Sequence, residues 1–167
     1  MTTAHRAAAE YGPVGRPTAP KSRLRTLVPI VVGGIAHIAY VRTMLPGLAF
    51  GDWGEMQTVP HVLGVAHPTG YPTYVLLAWA AQLVPVGTVA ARGNLLSAVL
   101  VAGSVAVASL ILVRLGVRPG LAVIGSVAIG AAGTVWSAAT VAEVNPLHLL
   151  LVALLVHRAL IWEARRT

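Results

Sequence analysis

Asp52 and Glu55 stand three apart in the string Gly51-Asp52-Trp53-Gly54-Glu55, directly after the first apolar run of the chain. On a helix that spacing puts both carboxylates on one face. One of them could take a proton from a hydroxyl, or both could hold a divalent cation such as Mg or Mn. The same residues also read as a helix start, with Asp52 as N-cap and Glu55 completing a capping box. A second string, His67-Pro68-Thr69-Gly70-Tyr71-Pro72, has two prolines and a glycine that fix a turn, from which His67 and Tyr71 can present polar groups. It reads equally as a structural loop. His61 and His67 fit no closed zinc spacing, and HExxH is absent. In Arg92-Gly93-Asn94, the guanidinium suits a phosphate, although an Arg at a membrane edge can also reach lipid headgroups. The last string, Glu143-Val144-Asn145-Pro146-Leu147-His148, adds a third carboxylate beside an Asn and a His. Asn145 before Pro146 also marks a helix start. Glu143 has no such structural reason, and His148 and Arg92 are its candidate cations.

The elements that must position these groups are apolar. Of 167 residues, 56% are hydrophobic and only 10% charged, too few charges to clothe a water-soluble domain of this size. Leu95–Val113 and Gly120–Val141 carry no charge, and each is about 20 residues long, the length that spans a bilayer core of roughly 30 Å as a helix. Nothing alternates as barrel strands do. The fold class is therefore all-α, a polytopic transmembrane protein with spans near 24–44, 95–113, 120–141 and 147–162. Residues 46–92 form an outer loop with short interfacial helices. Residues 1–23 read as a disordered basic cytoplasmic tail and 24–167 as the transmembrane domain. The competing reading of the N-terminus is a secretory leader, but the run from Leu24 is long for one. The net charge of +7 lies at the ends of apolar runs, not on an aromatic-studded basic face, so no nucleic acid partner is expected. Cysteine is absent, which excludes disulfides and thiolate metal sites.

Orientation follows from Lys and Arg. Lys21, Arg23 and Arg25 place the first helix start in the cytoplasm. If Tyr71–Val86, about 16 residues and short for a span, stays in the outer interface, then Arg114, Arg118, Arg158, Arg165 and Arg166 are all cytoplasmic. Only Arg42 and Arg92 then break the rule. This four-crossing arrangement brings Asp52, Glu55 and Glu143 to one extracytoplasmic side, with His61, His67, Arg92, Asn94 and His148. A one-sided polar cluster at a membrane reads as a site.

Taken together, Asp52, Gly54 and Glu55, the run Gly64 to Pro72, then Arg92, Asn94, Ser97, Ala98, Glu143, Leu147 and His148 resemble the N-terminal module of the GT-C glycosyltransferases. The nearest branch is the bacterial domain-of-unknown-function family related to the animal plexin- and Met-receptor O-mannosyltransferase. The resemblance covers residues 25 to 162. It implies transfer of a sugar, mannose being one candidate, from a polyprenyl-phosphate carrier to an acceptor hydroxyl on the outer face, with inversion. It implies that Asp52 is the catalytic base, supported by Glu55. Substrate-binding roles would fall to His67, Tyr71, Arg92, Asn94, Glu143 and His148, with Arg92 and His67 neutralising the leaving phosphate. No cofactor is demanded, and a divalent cation on Asp52 and Glu55 is the one candidate. The bilayer and the lipid-linked donor are the expected partners, in a multi-pass protein of the plasma membrane with a cytoplasmic N-terminus.

The superfamily usually has many more helices than four. The alternative expectation is thus a non-catalytic or truncated subunit that packs against a larger membrane partner through small residues such as Gly103, Ser104, Gly125, Gly130 and Gly133. A transporter ranks lower, because the long middle runs carry no charge and show no break.

Overall fold

The computed structural model describes residues 22–166, with side chains from Thr26. The tail expected at 1–23 lies outside the described residues except for its last two. Seven α-helices follow: α1 Ser22–Thr43, α2 Gly51–Thr58, α3 Pro72–Gln82, α4 Val89–Arg114, α5 Pro119–Ala131, α6 Gly133–Thr140 and α7 Asn145–Glu163. A 3-10 turn at Val59–Val62 extends α2, and no strand occurs among the described residues. Proline opens α3 and α5, where a missing N–H costs nothing. The Thr88 hydroxyl caps α4 by accepting from the Ala91 N–H at 3.2 Å.

The chain is an all-α multi-pass membrane protein. Three helices are long and apolar enough to cross a bilayer: α1 from Thr26, α4 and α7. The pair α5 and α6 makes a fourth if counted as one bent span. At 1.5 Å per residue α4 is about 39 Å long and α7 about 29 Å, each enough for a core of roughly 30 Å. By the same measure α3 reaches only about 16 Å, as the short run from Tyr71 led us to expect.

α4 is the central element, against which α1, α5, α6 and α7 all pack. Of its apolar window 44% is buried, against 11% for α1 and 6% for α7. The core between them is made of small and β-branched side chains, with Val32, Tyr40, Ala98, Val101, Ala102, Val105 and Ala139 in one cluster. A second cluster joins the outer loop to α4 and α7 through Met56, Ala66, Tyr74, Ala78, Leu96, Leu100 and Ala142. Outside these clusters α1 and α7 show bare apolar faces, such as Ile30, Leu151 and Leu155, as helices in contact with lipid do.

The directions of the helices decide where the polar residues meet. Leu45 N–H donates to the Thr140 carbonyl at 2.9 Å, and Glu143 N–H donates to Ser97 Oγ at 3.3 Å. The end of α1, the start of α4, the end of α6 and the start of α7 therefore share one end of the bundle. At the other end Arg114 Nε donates to His157 Nε2 at 3.1 Å.

One expectation is corrected. The run Gly120–Val141 is not a continuous helix but bends by 66° between α5 and α6. Ala132 at the bend is extended (φ −60°, ψ 134°), so the Gly130 carbonyl loses its helical donor. The Tyr40 hydroxyl replaces that donor from α1, at 2.9 Å. A side chain could not stand at Gly130, because a Cβ there would lie 2.8 Å from the Tyr40 oxygen and 3.0 Å from Val105 Cγ2. Of the small residues expected at an interface with a partner, Gly103, Gly125 and Gly130 face Leu150, Leu112 and Tyr40 of this same chain, while Gly133 has open space beside it.

Candidate active site

α2 begins as the chain turns back across the end of the bundle. Gly54 lets it do so closely, since a Cβ at this position would meet the Ala49 carbonyl oxygen at 2.4 Å. Its N-cap is Phe50, which makes no side-chain bond, and Asp52 lies within the first turn. The capping-box reading of Asp52 and Glu55 is therefore not what the structure uses. Asp52 is exposed and makes no hydrogen bond among the described residues.

Glu55 is instead bound to the next loop. Its Oε1 accepts the His67 backbone N–H at 2.8 Å, and Oε2 meets His67 Nδ1 at 2.5 Å. The His67 ring also meets the Tyr71 ring edge to face, with centroids 5.4 Å apart. The hydrogen bond that His67 makes to Glu55, and behind it the charges of Glu55 and Asp52, raise the His67 pKa above its ordinary value. The hydrogen bond to His67 lowers the pKa of Glu55. Tyr71 itself has a left-handed backbone (φ 43°), a conformation that a non-glycine residue adopts at a cost of about 1–2 kcal/mol. This turn ends the loop and sends the chain into α3.

A cleft of about 210 Å³ opens between these groups and the loop before α7. Asp52, Trp53, Met56, His67 and Tyr71 line one part, and Glu143, Val144 and Asn145 the other. The Asn145 amide donates to the Glu143 carboxylate. Ligand atoms of Asp52, Glu55 and His67 lie within 4.8 Å of one another, close enough to share one cation. His67 Nδ1 already faces Glu55, so a cation there would have to displace that contact.

The other anticipated site residues stand elsewhere. The Arg92 guanidinium donates to three backbone carbonyls, of Gln82 at 2.8 Å, Val86 at 3.1 Å and Gly87 at 3.1 Å, and so holds the end of α3. Asn94 is fully buried. It accepts from Gln57 Nε2 and from Ala142 N–H, both at 2.8 Å, and donates to the Leu45 carbonyl at 2.9 Å. His148 is exposed and outside the cleft lining. Neither His148 nor Arg92 forms an ion pair with Glu143 among the described residues, where His67–Glu55 is the one such pair.

Three positions escaped the sequence reading. Gln57 is completely buried and bonds Ala49, Gly47 and Asn94, while Gln82 donates to the Gln57 carbonyl at 2.8 Å. An amide inside an uncharged apolar stretch was the available signal for both. Tyr74 is buried with no partner for its hydroxyl, and burial, then the Glu143 charge, pushes its pKa up.

The description of the protein O-mannosyl-transferase TMEM260 N-terminal domain matches residues 52–167, most of the chain and every residue of the cleft. The chain belongs to that family. The mouse protein O-mannosyl-transferase TMEM260 is 49% identical over 71 residues, covering 39% of this chain and 10% of the mouse protein. Its namesake in Dictyostelium discoideum is 40% identical over 52 residues, covering 30% of this chain and 6% of that protein. The chain thus aligns with a tenth or less of the length of these TMEM260 relatives. No solved structure matches it.

Proposed function

We propose that the chain is the N-terminal module of a membrane glycosyltransferase, which moves a sugar, mannose by the names of its relatives, from a polyprenyl-phosphate carrier to an acceptor hydroxyl. The observation that carries this reading is the cleft, where an unbonded Asp52, a Glu55-bound His67 and Glu143 meet at one end of an apolar bundle. Asp52 accepts the proton of the acceptor hydroxyl as its oxygen attacks the anomeric carbon. The bond from that carbon to the phosphate oxygen breaks, and the carrier phosphate leaves with the electron pair. A single displacement of this kind inverts the anomeric centre. His67, whose charged form is favoured by its bond to Glu55, faces the departing phosphate. The phosphate role suggested by sequence for Arg92 passes to His67, because the guanidinium is committed to carbonyls. Arg114, Arg118, Arg158, Arg165 and Arg166 gather at the opposite end from the cleft, which supports a cytoplasmic N-terminus and an extracytoplasmic cleft.

The test uses membranes holding the full chain, labelled polyprenyl-phosphate mannose and an acceptor protein. Asp52→Asn is expected to lower transfer by roughly 100-fold or more at unchanged abundance. Normal transfer by this variant would remove Asp52 from the mechanism. The second reading is a non-catalytic subunit that packs against a larger membrane partner, which would supply acceptor recognition. Carrier binding without transfer, restored to transfer by that partner, is its signature.

A further inference from the structure

Tyr74 stands in the first turn of α3, and its side chain is only 2% exposed. Its hydroxyl has no hydrogen-bond partner. A buried hydroxyl left unpaired is costly, and a phenylalanine would fill the same space without that cost. The surroundings offer the hydroxyl a use. Its ring packs in one cluster with Met56 and Ala142, and Tyr71 and Val144 rest against that cluster. Met56, Tyr71 and Val144 also line the cleft, so Tyr74 lies behind the cleft wall. Glu143 stands between Ala142 and Val144, and it is the one charge that acts on the hydroxyl. The Glu143 carboxylate has no cation partner among the described residues. One of its oxygens accepts the Asn145 amide, and the other makes no hydrogen bond among those residues.

We propose that Tyr74 is a positioning residue for Glu143, whose carboxylate leaves Asn145 for the buried hydroxyl when a sugar enters the cleft. The inference rests on the sugar-transfer reading above and adds the group that orients the third carboxylate. The exchange is a turn about the side-chain bonds of Glu143. It leaves the backbone in place, where Ser97 Oγ accepts the Glu143 N–H at 3.3 Å. Before the exchange, amide and carboxylate satisfy each other and offer a ligand little. Afterwards one Glu143 oxygen is tied to Tyr74 and the other accepts a sugar hydroxyl, while the freed Asn145 amide donates to the next one. Neighbouring hydroxyls, one donating and one accepting, are what a hexose ring presents. The carrier phosphate offers no such pair, so this end of the cleft takes the sugar and the His67 end the phosphate.

The test compares Tyr74→Phe, Glu143→Gln and the double variant of the full chain in membranes, with labelled polyprenyl-phosphate mannose and an acceptor protein. Tyr74→Phe is expected to raise the donor KM roughly fivefold, with the acceptor KM unchanged and the melting temperature unchanged or higher. The double variant should lose no more than Glu143→Gln alone, because Tyr74 acts only through that carboxylate. A second readout needs no transfer. Tyrosine isotope-labelled at Cζ gives an NMR signal in detergent micelles, assigned to Tyr74 by its loss in Tyr74→Phe. Polyprenyl-phosphate mannose should shift that signal, and polyprenyl phosphate without the sugar should not. A sugar-dependent shift without transfer also upholds the proposal, since sugar binding is what moves Glu143. Normal kinetics in Tyr74→Phe, or losses that simply add in the double variant, would overturn it and leave the sugar-transfer reading intact. A lower melting temperature in Tyr74→Phe would make the hydroxyl a core group and overturn it as well. No transfer by the unaltered chain, together with no shift on adding the donor, would remove the sugar-transfer reading and the proposal with it.

Discussion

Glu55 commits both carboxylate oxygens to one neighbour, His67, and this fixes the electrostatics of the cleft. The pH dependence follows from the two shifts. His67 has a raised pKa in the folded chain, so its share of the stabilisation is complete below its unfolded value and is lost as pH rises through the folded one. Glu55 has a lowered pKa, so its share is present above the unfolded value and is lost as pH falls through the folded one. The pair is therefore intact from mildly acidic pH up to the raised His67 pKa. Glu55→Gln should bring the His67 titration back down, read from the ring resonances by NMR in detergent micelles. An unchanged titration would show that Glu55 does not control the ring. The sequence made Asp52, Glu55 and His67 legible as a group because carboxylates and imidazoles are scarce in an apolar chain. It could not show that Glu55 serves His67 rather than a helix start, because Asp-x-x-Glu has the same spacing in both roles. Arg92 and Asn94 stood out for the same reason of scarcity, yet Arg92 is spent on three backbone carbonyls and Asn94 on Gln57 and two distant backbone groups, partners that the local sequence does not record.

The bend between α5 and α6 is an element held in shape by a side chain of another element. Tyr40→Phe would leave the Gly130 carbonyl without a donor in an apolar interior, at a cost of about 1–3 kcal/mol. It would also leave the Tyr40–Trp136 edge contact in place, with its centroids 5.2 Å apart. A lower melting temperature in detergent without loss of helical circular dichroism is the expected result. An unchanged melting temperature would mean that the bend is set elsewhere. The spans were readable because length and absence of charge are sufficient to call them. The bend was not, since Gly120–Val141 contains no proline and its glycines are ordinary in a membrane helix. Only the distant Tyr40 distinguishes the bend from a straight helix, so an unbroken middle run was weak ground for ranking a transporter last.

For the molecule as a whole, the decisive property is that Arg114, Arg158, Arg165 and Arg166 sit at one end of the bundle and Asp52, Glu55 and Glu143 at the other. The absence of cysteine allows a direct test. Single cysteines at Arg118 and at Glu143 would be treated with a membrane-impermeant maleimide on intact cells. Reaction at 143 and not at 118 is expected from a cytoplasmic N-terminus with four crossings. Reaction at 118 alone would put the cleft in the cytoplasm and exclude an extracytoplasmic acceptor. The clustering of acids at one end followed from sequence through charge and length alone.

The Tyr40–Gly130 bond joins residues 90 apart in sequence, and this orders events during synthesis. A ribosome delivers α1 to the membrane well before α5 and α6 emerge. The bent span has no donor for its open carbonyl until it meets the tyrosine already waiting there. Its native shape is thus conditional on the first helix having stayed beside the insertion site. A chain whose first helix is removed or exchanged should still insert its later helices, but with the α5–α6 pair drawn towards a straight rod.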